Sequence, residues 1–244
     1  MTPIELLLLS NSTGYGGTFL GHALDAVAET LGGRRHLLFV PYALADQGGY
    51  TARVRAALEP AGITVTGLDE ATAPLAEVQR AEALFIGGGN SFRLLAELQR
   101  LDLVEAIRQR VLTGMPYLGA SAGTNMACPS LRTSNDMPIV EPRSFQALRL
   151  VPFQINPHYI DPDPSSRHMG ETRQARIAEF LEENDVPVLG LREGSWLRIS
   201  GSTATIGGLA GGRLFTRNAE PRDLPARADV SLLLGVHPHF DTRA

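Results

Sequence analysis

The 244-residue chain predicts an α/β architecture of three layers: a mostly parallel sheet flanked by helices, with a short antiparallel β segment toward the C-terminus. Three observations carry this expectation. Up to about residue 121, short apolar runs alternate with amphipathic stretches. Those runs are almost continuously apolar, as strands buried on both faces require. Beyond residue 194, SWLRIS, TATIGG and GRLFT are short and joined by Gly-containing turns, which suits antiparallel pairing.

In chain order, IELLLLS (4–10) reads as a buried strand. It is followed by a polar, Gly-rich loop and a helix over 18–31. RHLLFVPYA (35–43) is a second strand, after which Ala52, Val54, Ala57 and Leu58 suit a helix. ITVTGL (63–68) and AEALFIGGG (81–89) are further strands separated by a short helical segment. NSFRLLAELQR begins at a good N-cap residue and places Phe92, Leu95, Ala96 and Leu98 on one face. MPYLGA (115–120) is another strand and runs straight into Ser121. After it, 132–142 reads as loop, 148–158 contains an extended segment ending at His158, and 172–184 reads as a helix with Ile177, Phe180 and Leu181 inward. VPVLGL (186–191) is strand-like. No repeat, low-complexity tract or linker divides the chain, so one domain over 1–244 is expected.

Composition excludes several chemistries. All 22 basic residues are Arg, because the chain contains no Lys. A Walker-type phosphate loop, a pyridoxal-phosphate Schiff base and a Ser–Lys dyad therefore lack their lysine. Cys128 is the only cysteine, which excludes an intramolecular disulfide and a thiolate-rich zinc site. A net charge of −4 offers no general attraction to nucleic acid or to anionic membranes. The first residues lack a basic stretch and a long apolar span, so a cytoplasmic location is expected. Open sheet edges are compatible with a homodimer.

Gly119-Ala120-Ser121-Ala122-Gly123 fits G-x-S-x-G between a predicted strand and a short helix at 124–128. A sharp strand-to-helix turn crowds its neighbours, and small residues around the serine relieve that crowding while exposing the hydroxyl. The Ala122 N–H, at the helix start, would face a developing oxyanion. On the pattern alone, a tight βα turn whose serine only caps the helix fits equally. Among six histidines, His22 falls in the expected first helix and His36 in the second strand. His168 lies in a polar run, and His237 and His239 form an H-x-H pair without a third metal ligand. His158 ends the extended run FQINPH, at a strand exit where ligands bind in such sheets, and is the preferred base. Asp136 and Glu193 both qualify as the carboxylate that orients it. IGGGNSF (86–92) offers an oxyanion N–H from Gly88 or Gly89, with a phosphate cradle as the rival reading.

Seven segments in order, LLLLSNST, IGGGNSF, GASAGTNMACP, RTSNDMPIVEP, QINPH, GETRQARIAEFL and GLREGSW, resemble peptidase E, the α-aspartyl dipeptidase family of serine peptidases. The resemblance implies a fold like that of class I glutamine amidotransferases, with serine in place of cysteine at the elbow. It implies Ser121 as nucleophile and His158 as base, and it leaves Asp136 and Glu193 both open as the third member. Glu193 is preferred, because Asp136 lies in a turn-prone run where aspartates often satisfy local backbone N–H groups. The implied activity is hydrolysis of dipeptides with an N-terminal aspartate, which needs no metal or organic cofactor. With no Lys in the chain, an Arg must meet the substrate β-carboxylate. Arg173 is the first choice, Arg176 the second, and Asn90 a further substrate-binding candidate. Met169 departs from a relative that has lysine between the matching histidine and glycine. A cyanophycinase-like activity on β-aspartyl-arginine links, drawing on Asp161 and Asp163, is an alternative. A non-catalytic module that binds an acidic ligand is another.

Overall fold

The computed structural model describes residues 3–14, 16–163, 165 and 169–242. His168 lies outside them. The elements in chain order are β1 (Glu5–Leu9), α1 (Leu24–Leu31), β2 (His36–Val40), α2 (Gln47–Leu58), β3 (Thr64–Gly67), α3 (Pro74–Arg80), β4 (Leu84–Ile86), α4 (Ser91–Arg100) and α5 (Leu103–Leu112). They continue with β5 (Tyr117–Ala120), α6 (Ala122–Ala127), β6 (Gln154–Tyr159), α7 (Arg173–Glu183), β7 (Val188–Arg192), β8 (Ser195–Ser200), β9 (Thr203–Gly208), β10 (Gly212–Phe215) and β11 (Arg222–Leu224).

The larger sheet has seven strands in the order β3-β2-β4-β5-β1-β8-β9. Its first five strands are parallel, and β8 and β9 add to the β1 edge in antiparallel fashion. Strand periodicity sorts the apolar runs into two layers. Leu6, Leu8, Leu38, Val40, Leu84, Ile86 and Tyr117 face one core, covered by α4, α5 and α6 through Leu95, Ile107 and Met126. Leu7, Leu9, Leu37, Phe39, Phe85 and Leu118 face the other, covered by α1 and α2 through Val27, Val54 and Leu58. Both faces of these strands are dry, which is why their sequence shows no polar alternation.

After Ser121 the chain builds a second sheet, and the antiparallel C-terminal strands expected from sequence are divided between the two. β6 and β7 pair with each other in parallel, and β10 and β11 extend them into a separate four-stranded sheet of order β11-β10-β7-β6. One face of this sheet (Ile155, Leu189, Leu191) joins the first core, while Val188 and Phe215 pack under α7 with Ile177 and Leu181. The chain crosses between the sheets in the tight turn from β7 to β8. Gly194 there adopts φ +78, a region open to glycine at little cost. The first helix begins at Leu24, later than expected, so His22 belongs to the turn that precedes it. α5 has its own inward stripe of Leu103, Ile107 and Val111, and the sequence reading had assigned it no element. On α4, Leu94 is buried and Ala96 is only half-buried, which rotates the expected apolar face. Among the described residues no helix is long and apolar enough to cross a membrane.

Candidate active site

The ends of β1, β4 and β5 lie side by side at the carboxyl edge of the larger sheet, where the parallel α/β arrangement places its loops. β5 delivers Ser121, β4 delivers Gly87 to Gly89, and β1 delivers Ser10 and Asn11. From the second sheet, β6 presents His158 and the β7–β8 turn presents Glu193.

Ser121 sits at φ 53 and ψ −109 and makes no side-chain cap bond to α6. That conformation is sparsely populated for an L-residue and costs about 1–3 kcal/mol. Its hydroxyl is held by the histidine instead, with Oγ 2.9 Å from His158 Nε2. The helix-capping reading of this serine therefore fails on geometry. Close approach explains the second glycine of the motif: a Cβ on Gly123 would lie 2.0 Å from the Ile86 carbonyl oxygen. Gly123→Ala is expected to destabilise the fold by about 3 kcal/mol or more, measured by urea unfolding, because neither backbone segment can yield.

His158 is displaced from regular pairing. β6 and β7 are in register from Gln154 to Asn156, the register shifts, and pairing resumes at Tyr159 opposite Arg192. The shift leaves His158 at φ 54, aiming its ring out of the sheet. Its backbone N–H donates to Ser10 Oγ at 2.8 Å, and Ser10 Oγ in turn donates to the Leu191 carbonyl at 2.8 Å. Its Nδ1 lies 2.5 Å from Glu193 Oε1. Asn11 Oδ1 accepts from the Gly194 N–H at 2.8 Å, fixing the turn that carries Glu193. Beyond the pair, Arg192 grips Asp161 with two bonds of 2.6 and 2.9 Å, tying the ends of β6 and β7 together.

The two candidate carboxylates separate cleanly. Glu193 meets the imidazole, whereas Asp136 Oδ2 accepts from the Ser91 backbone N–H at 2.7 Å and from the Ser91 hydroxyl. Asp136 thus sits at the α4 N-terminus, where a negative charge is stabilised by unpaired N–H groups. The turn-prone run suggested that Asp136 would satisfy local backbone N–H groups; its acceptor bonds go instead to Ser91, 45 positions away in sequence. Asn90 is also committed: its Oδ1 caps α4 through Phe92 N and Arg93 N, and its Nδ2 donates to the Met137 carbonyl.

Of the two glycine donors left open by the sequence, the Gly88 N–H is already donated to the Tyr50 hydroxyl at 2.8 Å. Burial raises the Tyr50 pKa from its usual value, with Gly88 N–H and Arg53 pulling the other way, so the phenol is neutral. Among the described residues, the N–H groups of Gly89 and Ala122 have no acceptor. Tyr50, Ser10 and Asn11 were not identified from sequence as site residues. Asn11 and Ser10 sit in the quoted LLLLSNST, but nothing local says what they hold.

Arg173 and Arg176 also divide. Arg176 pairs with Glu171 at 3.4 Å on the surface. Arg173 is half-buried, and its Nη1 is enclosed with no acceptor among the described residues. Burial and the neighbouring Arg176 lower its pKa, while the charges of Glu193 and Asp136 oppose that shift. Asp161 is paired with Arg192 and Arg213, and Asp163 Oδ1 accepts from Ser165. Cys128 lies off the elbow, accepting from the Ile155 N–H, with its thiol pushed up to about 12 by burial. Among the described residues no three His, Cys, Asp or Glu side chains group as a metal site. His239 is bridged to Asp185 through backbone bonds.

The chain is 62% identical over 239 residues to a Streptomyces coelicolor protein named Peptidase E, covering 98% of each. It is 46% identical over 233 residues to a Drosophila melanogaster protein named "Probable alpha-aspartyl dipeptidase", covering 94% of this chain and 97% of that one. A crystal structure of a peptidase from an acI-B1 actinobacterium shares the fold at a TM-score of 0.66 and 15% identity, over 93% of this chain and 96% of that one. The model of peptidase family S51 matches residues 6–207, the span that carries β1, the serine elbow, His158 and Glu193, and the chain belongs to that family.

Proposed function

We propose that this protein is a serine dipeptidase that hydrolyses dipeptides with an N-terminal aspartate through an acyl-enzyme on Ser121. The observation that carries the mechanism is the unbroken series from Glu193 Oε1 through the His158 ring to Ser121 Oγ, at 2.5 and 2.9 Å. Names borne by relatives, Peptidase E and alpha-aspartyl dipeptidase, support the Asp-Xaa substrate class.

In this reading Ser121 Oγ–H donates to His158 Nε2, and the ring takes that proton as the oxygen attacks the peptide carbonyl. Glu193 accepts from Nδ1–H, which holds the tautomer and stabilises the imidazolium. The Ala122 and Gly89 N–H groups receive the oxyanion. His158 then protonates the leaving amine, and water attacks the acyl-enzyme with the same ring as base. Arg173 receives the substrate β-carboxylate, a pairing that would supply the acceptor its enclosed Nη1 lacks. We place the enzyme in the cytoplasm, in keeping with a lone cysteine that stays a buried thiol.

Purified protein offered Asp-Leu, β-Asp-Arg and N-acetyl-Asp-Leu separates the readings. Asp-Leu is expected to be cut and the other two to survive. Cleavage of the β-linked peptide with Asp-Leu left intact would overturn the proposal.

A further inference from the structure

A cleft of about 500 Å³ opens beside Ser121 and His158, walled by Phe19, Leu44, Tyr50 and Arg53. Arg53 projects from α2, and its guanidinium lies 6.0 Å from the centre of the Tyr50 ring. Among the described residues it makes no ion pair, unlike Arg55, two positions on, which is bound to Glu70. Its place relative to the serine follows from contacts. Tyr50, under the guanidinium, holds the Gly88 N–H, and the Cβ position of Gly88 is 3.1 Å from Ser121 Cβ. Arg173 does not line this cleft. Arg53 is thus the arginine that shares a cleft with the serine, and the role given to Arg173 above leaves it free for a second carboxylate.

A dipeptide Asp-Xaa carries two carboxylates, one on each side of the scissile bond. The β-carboxylate belongs to the acyl half, and the free C-terminal carboxylate lies one residue beyond the bond, on the leaving half. We propose that Arg53 is a specificity-determining residue that binds this C-terminal carboxylate, and that the Phe19–Leu44 wall receives the leaving side chain. The inference rests on the dipeptidase reading above. An aromatic face under a guanidinium limits its motion and leaves its N–H fork free for a carboxylate. In a longer peptide an amide replaces the carboxylate, and the charge-assisted pair is lost. Arg53 thereby selects for chain length as well as for charge.

The test compares kcat and KM for Asp-Leu and Asp-Leu-amide in the parent, Arg53→Gln and Arg53→Lys. The pair is open to solvent, so the parent is expected to prefer the free acid in kcat/KM by about tenfold, mainly through KM. In Arg53→Gln the ratio of the two substrates is expected to fall toward one, and Arg53→Lys, which keeps the charge, to restore part of it. A parent without the preference, or a preference unchanged in Arg53→Gln, overturns the assignment while leaving the dipeptidase reading intact. Failure of the parent to cut Asp-Leu overturns both.

Discussion

Ser121→Ala is expected to lower kcat/KM on Asp-Leu by about 10⁴- to 10⁶-fold, the range seen when a hydrolase loses its nucleophile. The residual rate would come from the Gly89 and Ala122 N–H groups and from substrate binding. Stability should change little. The serine hydroxyl makes no cap bond to α6, so its removal takes nothing from that helix. Its hydrogen bond goes to a ring whose side chain is 34% exposed, and water can take over there. Kinetics paired with a thermal melt would check both halves. Activity within about a hundredfold of the parent would show that the hydroxyl is not the attacking group.

The second large effect separates the carboxylates. Glu193→Gln is expected to cost about 10²- to 10³-fold in kcat, with KM moving little, because the imidazolium loses its counter-charge and tautomer control. The Glu193 side chain is 58% exposed, and solvent screening keeps the loss below that of a fully buried partner. Asp136→Asn should act differently. It weakens the charged acceptor for the Ser91 N–H and hydroxyl at the start of α4. About 2 kcal/mol of stability is expected to go with it, read from urea unfolding, with a smaller loss of kcat than in Glu193→Gln. If Asp136→Asn were the more damaging to kcat and Glu193→Gln nearly silent, the assignment of the third member would be reversed.

The parallel strands were legible because local chemistry defines them. Leu6 to Leu9 and Leu37 to Val40 are runs that no half-exposed strand would carry, and period 2 divides them between two dry layers. α5 carries an equally local signal, with Leu103, Ile107 and Val111 at helical spacing. The second sheet was not legible. Whether VPVLGL joins the main sheet or a new one depends on its partner β6 and on a turn at Gly194, neither of which its own residues encode.

An elbow leaves a steric signature in its neighbours, so the small residues around Ser121, with His158 at a strand exit, marked the two as candidates, and the 2.9 Å contact between them then set aside the capping reading that fitted the pattern equally. A carboxylate leaves no such signature. Asp136 and Glu193 are both loop acids, and only their placement against Ser91 and His158 told them apart. The same holds for Gly88 and Gly89, divided by the Tyr50 hydroxyl, and for Arg173 and Arg176, divided by Glu171. The sequence by itself determined the layered fold, which rests on periodicity, and it singled out Ser121 and His158 as candidates through the elbow pattern, the strand exit and the family resemblance. Tertiary structure alone decided which carboxylate meets His158 and which glycine N–H is left without an acceptor, since each of those choices is a contact between segments far apart in the chain.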